Sequence, residues 1–335
     1  MNEINNEKID FVITWVDGND EKWIKEKNEY SKEKGDKAEN RFRDCNNLQY
    51  LFRSIEKYAP WVNNIFFITC GQTPKWLNTK HPKLKLINHT DYIDSKYLPT
   101  FNSNVIELNL HKIKGLSEKF VLFNDDIFIL KKVNKEDFFS KGLPVDTYVE
   151  YAQLASKFND THYFMKANIL AIINQEFKKK KYFLKNIYKC FNLKYGKLNL
   201  HTRHWYKIKD RYCGFWNFHN PQPYLKSNFK KIWDLRKEDL DKACYNRFRK
   251  STDLGHYIVR YMQLVTGQFT PGKNNTKYLE IDNDIENVNN IILNNTDNYK
   301  VVCINDTVKE DFEIKINKIN KALNKIFPKK SKYEI

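Results

Sequence analysis

Two apolar runs, Phe120–Phe123 and Ile127–Leu130, close on the polar triplet Asn124-Asp125-Asp126. No other stretch restricts the possible folds as tightly. Short β-branched and aromatic runs predict buried strands, so the triplet must sit at a strand's end against the core. Burying two adjacent carboxylates is costly unless something cationic meets them. A divalent metal carrying a phosphate answers that need; a solvated turn is the alternative. Neighbours on a strand point to opposite faces, so one of the two aspartates is expected to face a ligand directly.

The residues before this strand predict a helix that carries Glu107 and His111 four apart on one face, then a turn at Lys114-Gly115. Asn104 and Glu107 also have the N-cap to N3 spacing of a capping box, which makes Glu107 equally a helix cap. Further upstream, residues 9–16 (IDFVITWV) predict a buried strand ending in the turn Asp17-Gly18-Asn19-Asp20. A charged segment follows, helical at first. Leu48, Leu51, Phe52, Ile55 and Tyr58 recur at helical spacing, and Pro60-Trp61 ends that helix. Strands are expected at 65–69 and 84–87. This alternation predicts an α/β fold: a mostly parallel, Rossmann-like sheet flanked by helices. Ligands of such sheets bind beyond the strands' carboxyl ends, where Asp17, Gly71 and Asp125-Asp126 all fall.

The remainder is less patterned. Residues 131–200 are rich in Lys and Phe and are expected to form a helical insertion. Its four lysines at 178–181 suit a solvated face or contact with a membrane surface. Residues 225–267 look helical and hold Arg247, Arg249 and Asp253 close together, as a phosphate clamp or a charged helix face. Residues 273–300, rich in Asn, are expected to be a loop, followed by a strand at 301–304 and a helix over 308–327. The expected division is a core of residues 1–130, the insertion at 131–200, and a return to the core over 201–335. His219 precedes Asn-Pro-Gln-Pro, a rigid context that presents an imidazole either for proton transfer or for a structural role. Arg41, Arg43 and Asp44 precede a helix. Arginine grips phosphate in a bidentate way, but the pattern better suits an arginine paired with a local acid and Asp44 as a helix cap.

Composition narrows the function classes. Lys+Arg outnumber Asp+Glu by 58 to 41, a net charge of +17, which suits a polyanionic partner or an anionic membrane face. Nucleic acid is not expected, because no RNA- or DNA-binding motif accompanies the charge. The six cysteines form no CxxC or zinc spacing and are expected to be free thiols. Neither GxxxxGK[ST] nor GxGxxG is present, which argues against a P-loop ATPase and a Rossmann dehydrogenase. With no apolar leader and no membrane-length apolar run, the expected location is cytoplasmic, soluble or peripheral at the inner face of the membrane.

Together these motifs resemble the Stealth family of hexose-1-phosphate transferases. That family includes bacterial capsular and exopolysaccharide phosphotransferases and the catalytic subunit of the animal lysosomal-enzyme GlcNAc-1-phosphotransferase. Four separated blocks carry the resemblance: residues 9–20, 42–129, 219–254 (from HNPQPYLK to RFRKSTDL) and 301–334. It implies a GT-A-like fold and transfer of a sugar 1-phosphate from a nucleotide diphosphate sugar to an acceptor hydroxyl of a growing polysaccharide. Nucleoside monophosphate would be released, with Mg²⁺ or Mn²⁺ required. The resemblance makes Glu107, Asp126, His219 and Arg249 catalytic. It makes Trp15, Val16, Asp17 and Gly18, with Arg43 and Asp44, nucleotide-contacting, and Asp126 with Asp125 the metal ligands. His219 or Glu107 would be the base. The alternative is a conventional metal-dependent glycosyltransferase that releases nucleoside diphosphate. Where the family ends in a Ser-Pro-Phe-Glu-like tetrapeptide, this chain has Ser331-Lys332-Tyr333-Glu334.

Overall fold

A computed structural model describes residues 7–38, 42–155, 160–208, 210–282, 285–295 and 297–335; Arg41 lies outside them. The strands are β1 (Ile9–Thr14), β2 (Ile65–Thr69), β3 (Leu84–Asn88), β4 (Lys119–Asn124), β5 (Ile127–Ile129), β6 (Phe139–Ser140), β7 (Leu143–Asp146), β8 (Gln222–Leu225), β9 (Thr270–Pro271), β10 (Thr276–Glu280) and β11 (Val301–Asn305). The helices are α1 (Glu21–Glu29), α2 (Leu48–Tyr58), α3 (Ser103–Leu108), α4 (Thr161–Glu176), α5 (Lys179–Lys185), α6 (Ile187–Cys190), α7 (Asn199–Trp205), α8 (Lys226–Leu235), α9 (Lys237–Cys244), α10 (Tyr257–Thr266), α11 (Ile285–Leu293) and α12 (Phe312–Ile326).

The main sheet has the order β3-β2-β1-β4-β8. Its first four strands are parallel and β8 runs antiparallel to β4, so the expected mostly parallel α/β sheet is present. The alternation of β1 shows how it is covered. Phe11 and Ile13 join a core with Leu51, Phe52 and Ile55 of α2 and Ile319 and Leu323 of α12. Val12, between them, joins a second core with Phe120, Leu122, Phe229 of α8 and Ile258 of α10. A strand's period of two sends successive side chains to opposite faces, and helices bury both.

A second sheet, β10-β11-β5, continues from the first through the acidic turn, because β5 starts directly after Asp126. The C-terminus closes this side. Glu334 accepts two hydrogen bonds from Arg53 on α2 (2.9 and 2.7 Å), and Tyr333 packs on Phe52 and His81.

Three segments differ from their sequence reading. Within 131–200, the described α-helices begin at Thr161; before them come a 3₁₀ turn at Lys135–Asp137 and the β6–β7 hairpin at residues 139–146. Its two-residue turn, Lys141-Gly142, has φ of 53° and 76°, the positive values that a tight hairpin needs. The stretch 273–300 is not a loop, since it contains β10 and α11. Val288, Ile291 and Ile292 of α11 are buried, so apolar spacing outweighed an asparagine-rich composition. Between α9 and α10 the chain is not helical, and Arg247, Arg249 and Asp253 lie on that connection rather than on a helix face.

Candidate active site

The carboxyl ends of the parallel strands form one pocket of 240 Å³. Trp15 and Val16 enter it from β1, Cys70 from β2, His89 from β3, and Asn124, Asp125 and Asp126 from β4. β1 and β4 end level, Thr14 opposite Asn124, which sets Trp15 beside the acidic turn. The indole of Trp15 is held flat on Phe67, with centroids 5.7 Å apart. Glu107 and Arg249 complete the wall.

Asp126 is tethered to β11 at two points. Its carbonyl accepts from the Ile304 amide (2.8 Å), and Oδ2 accepts from the Cys303 thiol (3.3 Å). Oδ1 is buried and has no partner among the described residues. Burial pushes the Asp126 carboxyl up to about 6. Asp125 is pushed up to about 8 by burial and by the charges of Asp126 and Asp44. Among the described residues no cationic side chain offsets either carboxylate. That is the fit expected of a Mg²⁺ or Mn²⁺ site, since Mg²⁺ is held by one or two carboxylates while substrate phosphates and water supply the rest. No group of three His, Cys, Asp or Glu that could hold a metal exists among the described residues, so only the two carboxylates are available for one there.

Glu107 and His111 do not share a face. α3 ends at Leu108, and His111 falls in a short 3₁₀ turn where it packs against Phe229 and Trp233. The cap of α3 is Asn102, whose side chain accepts from the Asn104 amide. The Asn104–Glu107 capping box is thus not formed, and Glu107 is turned into the pocket. Burial pushes its carboxyl up to about 7, with the Arg249 charge opposing. Arg249 donates to Ser103 Oγ (2.6 Å). A buried amide hub holds this arrangement: Asp253 accepts from Asn102, Asn104 and Asn246 at 2.8–2.9 Å. It fastens the start of α3 to the connection that carries Arg249.

The other expected site residues have different surroundings. Arg43 makes two hydrogen bonds to Asp306 (both 2.9 Å) and one to the Val308 carbonyl (2.8 Å). It thereby pins the entry to α2 against the end of β11, and it does not line the pocket. Asp44 accepts from the Asn46 amide (2.9 Å). Burial raises its carboxyl, and the charge of Asp17 adds to that. Asp17 makes a local turn by accepting from the Asn19 amide, while Gln72 brackets its backbone. At Gly18 a Cβ would come within 2.1 Å of the Phe42 carbonyl oxygen, so close backbone packing requires glycine there. Asp17, Gly18 and Asp44 also stand outside the pocket lining.

His219 is not in the lining either. Its ring lies on Tyr278 (4.6 Å) and 6.4 Å from the ring of His162. Burial lowers the His162 imidazole's affinity for a proton, and the charges of Lys166, His219 and Arg249 add to that. His162 and His256 are additions that sequence reasoning missed. His256 Nε2 is 3.6 Å from Glu107 Oε2, and its Nδ1 is 2.6 Å from the Tyr224 hydroxyl. Burial holds His256 neutral, down to about 3. The Tyr224 hydroxyl also donates to the His256 carbonyl oxygen (3.3 Å), so Tyr224 holds both the ring and the backbone of His256 beside Glu107. His256 lies 149 residues from Glu107 and His162 57 residues from His219, and neither separation carries a sequence signal. The backbone packs closely beside His256, where a Cβ on Gly255 would meet Met165 and Asn104.

The family models for Stealth protein conserved region 1 and conserved region 2 match residues 7–35 and 41–145. A capsular polysaccharide phosphotransferase WcwK of Streptococcus pneumoniae is 42% identical, over 98% of this chain and 99% of its own. The exopolysaccharide phosphotransferase cps2G of Lactiplantibacillus plantarum is 37% identical, over 97% and 96%. The receptor polysaccharide phosphotransferase WefC of Streptococcus gordonii is 36% identical, over 98% and 99%. A crystal structure of an active-site mutant of LgtC aligns over 93% of this chain and 95% of its own, but at 10% identity and a TM-score of 0.35 it has no bearing on the chemistry. Near-full-length identity to several such proteins, together with the two conserved regions, shows that this chain belongs to the Stealth family.

Proposed function

We propose that this enzyme is a polysaccharide phosphotransferase of capsule or exopolysaccharide synthesis, which moves a sugar 1-phosphate from a nucleotide diphosphate sugar to a saccharide hydroxyl. The acceptor oxygen bonds to the β-phosphorus, the bond from that phosphorus to the bridging oxygen breaks, and nucleoside monophosphate leaves with the bridging oxygen. The observation that carries the reading is the Asp125-Asp126 turn, with Asp126 Oδ1 unpartnered among the described residues, in one pocket with Glu107 and Arg249 at the strands' carboxyl ends.

The residues suit distinct roles. Trp15 and Val16 supply an apolar wall for the nucleotide. Arg249, fixed by Ser103, offers a guanidinium to the phosphoryl oxygens. Asp126, with Asp125 beside it, would hold Mg²⁺ or Mn²⁺, which neutralises diphosphate charge when bound. Glu107, its carboxyl raised to about 7 and the His256 ring behind it, is placed to take the acceptor's proton. His219 would act on the acceptor side, through its contact with His162. The net charge of +17 supports contact with an anionic polymer or membrane face. No helix among the described residues is long and apolar enough to cross a membrane. The test is to incubate the enzyme with nucleotide sugars, Mg²⁺ and acceptor, and to identify the nucleotide set free. Monophosphate is expected; diphosphate would assign the chain to conventional glycosyl transfer.

A further inference from the structure

A second cavity of 470 Å³, about twice the volume of the pocket, lies against the start of β10 and β11. Its lining mixes the neutral hydrogen-bonding side chains Thr147, Asn220, Asn274 and Asn275 with charged ones: the acids Glu136, Asp137 and Asp146 and the lysines Lys194, Lys273 and Lys300, of which Lys300 pairs with Asp137. Phe138 and Phe218 give it aromatic walls, and Lys273 is exposed. Phe218 stacks on Trp216 at 5.9 Å with planes 14° apart, and Trp216 meets Tyr151 at 4.8 Å. Trp216 and Tyr151 are 36% and 37% exposed. Three aromatic rings in sequence thus lead to a cleft of amides and hydroxyls. A pyranose matches the combination, because its C–H face packs on aromatic carbon while its hydroxyls pair with amides at the edge.

The cleft is also connected to the chemistry. Phe218 and Asn220 both line it, and His219 stands between them, its ring directed to Tyr278 and His162. Val301 at the start of β11 lines the cleft and Asn305 at its end lines the pocket. Four residues at the rise of a strand separate these by about 13 Å, a span that a short oligosaccharide bridges.

We propose that this cleft, with the Tyr151–Trp216–Phe218 track beside it, is the binding site for the growing saccharide acceptor, whose anionic phosphodiester units meet Lys273. The assignment rests on the phosphotransferase reading and deepens it. It is tested with acceptors of one to four repeat units, prepared from the polysaccharide of the producing strain. Acceptor affinity should rise with length in the wild-type enzyme. Trp216→Ala and Lys273→Glu should each raise the acceptor KM roughly tenfold and abolish the gain with length, while donor KM and the slow release of nucleotide to water stay unchanged. Lys273 is exposed, so its variant decides the matter if Trp216→Ala folds poorly. An acceptor KM within twofold of wild type, still falling with length, would overturn the proposal. Donor cleavage without acceptor reports on the pocket alone. Release of diphosphate there counts against the phosphotransfer reading, while direct titration of Trp fluorescence with the same oligosaccharides still decides the cleft.

Discussion

Two sets of buried carboxylates behave differently in this molecule. Asp146 is met by Arg260 through two hydrogen bonds of 2.9 Å, with side chains 2% and 1% exposed. Asp253 is held by three amides. Asp125 and Asp126, half-buried at the pocket, have no cationic partner among the described residues. One oxygen of Asp126 has no partner among the described residues, and burial drives both carboxyls upward. The contrast shows that the fold can satisfy a buried carboxylate when the group serves only structure. Where the chain leaves the charge unmet, a cation arriving with the substrate is expected to meet it.

The comparison breaks most visibly at Asp126. Asp126→Asn should lower turnover roughly 10³-fold or more while leaving the melting temperature at or above that of wild type, because a costly buried charge is removed. Full activity in a folded variant would show that Asp126 holds no metal and meets no phosphate. Arg260→Met is the reverse case. It strands Asp146 and should cost about 3–5 kcal/mol of stability, read from a urea midpoint. An unchanged midpoint would mean that the pair is not what keeps Asp146 buried.

The sequence made much of this legible. The apolar spacing of residues 48–58 gave α2, and the runs flanking the acidic triplet gave β4 and β5, because both signals are local. The partners of the site were not legible. Arg260 lies 114 residues from Asp146 and His256 lies 149 from Glu107, and neither shows any local pattern. Composition misled at two places. Lysines hid the Lys141-Gly142 hairpin turn, and asparagines hid the apolar face of α11. At Arg43 the pattern reading of an arginine paired with an acid has the right chemistry, but the acid is Asp306, 263 residues away, and not a local one, and the helix cap is Asn47 rather than Asp44.

A smaller effect separates Glu107 from the structural carboxylates. Its carboxyl is raised from 4.5 to about 7 in the folded chain. Between those values the native state holds the extra proton, so this group's contribution to stability falls as pH rises. Glu107→Gln lacks that penalty. Its stability relative to wild type should climb from pH 4.5 to about 7 and stay level above, in urea midpoints measured without metal. Parallel curves would show that the Glu107 carboxyl is solvated like any other.

The central claim is that the sugar travels with its phosphate. A donor labelled with ¹⁸O at the oxygen between the anomeric carbon and the β-phosphorus tests this directly. Phosphosugar transfer leaves that bond intact, so mass spectrometry of the product should find the label in the new phosphodiester and none in the released nucleotide. Label leaving with the nucleotide would mean that the anomeric bond was cut, and would contradict the account.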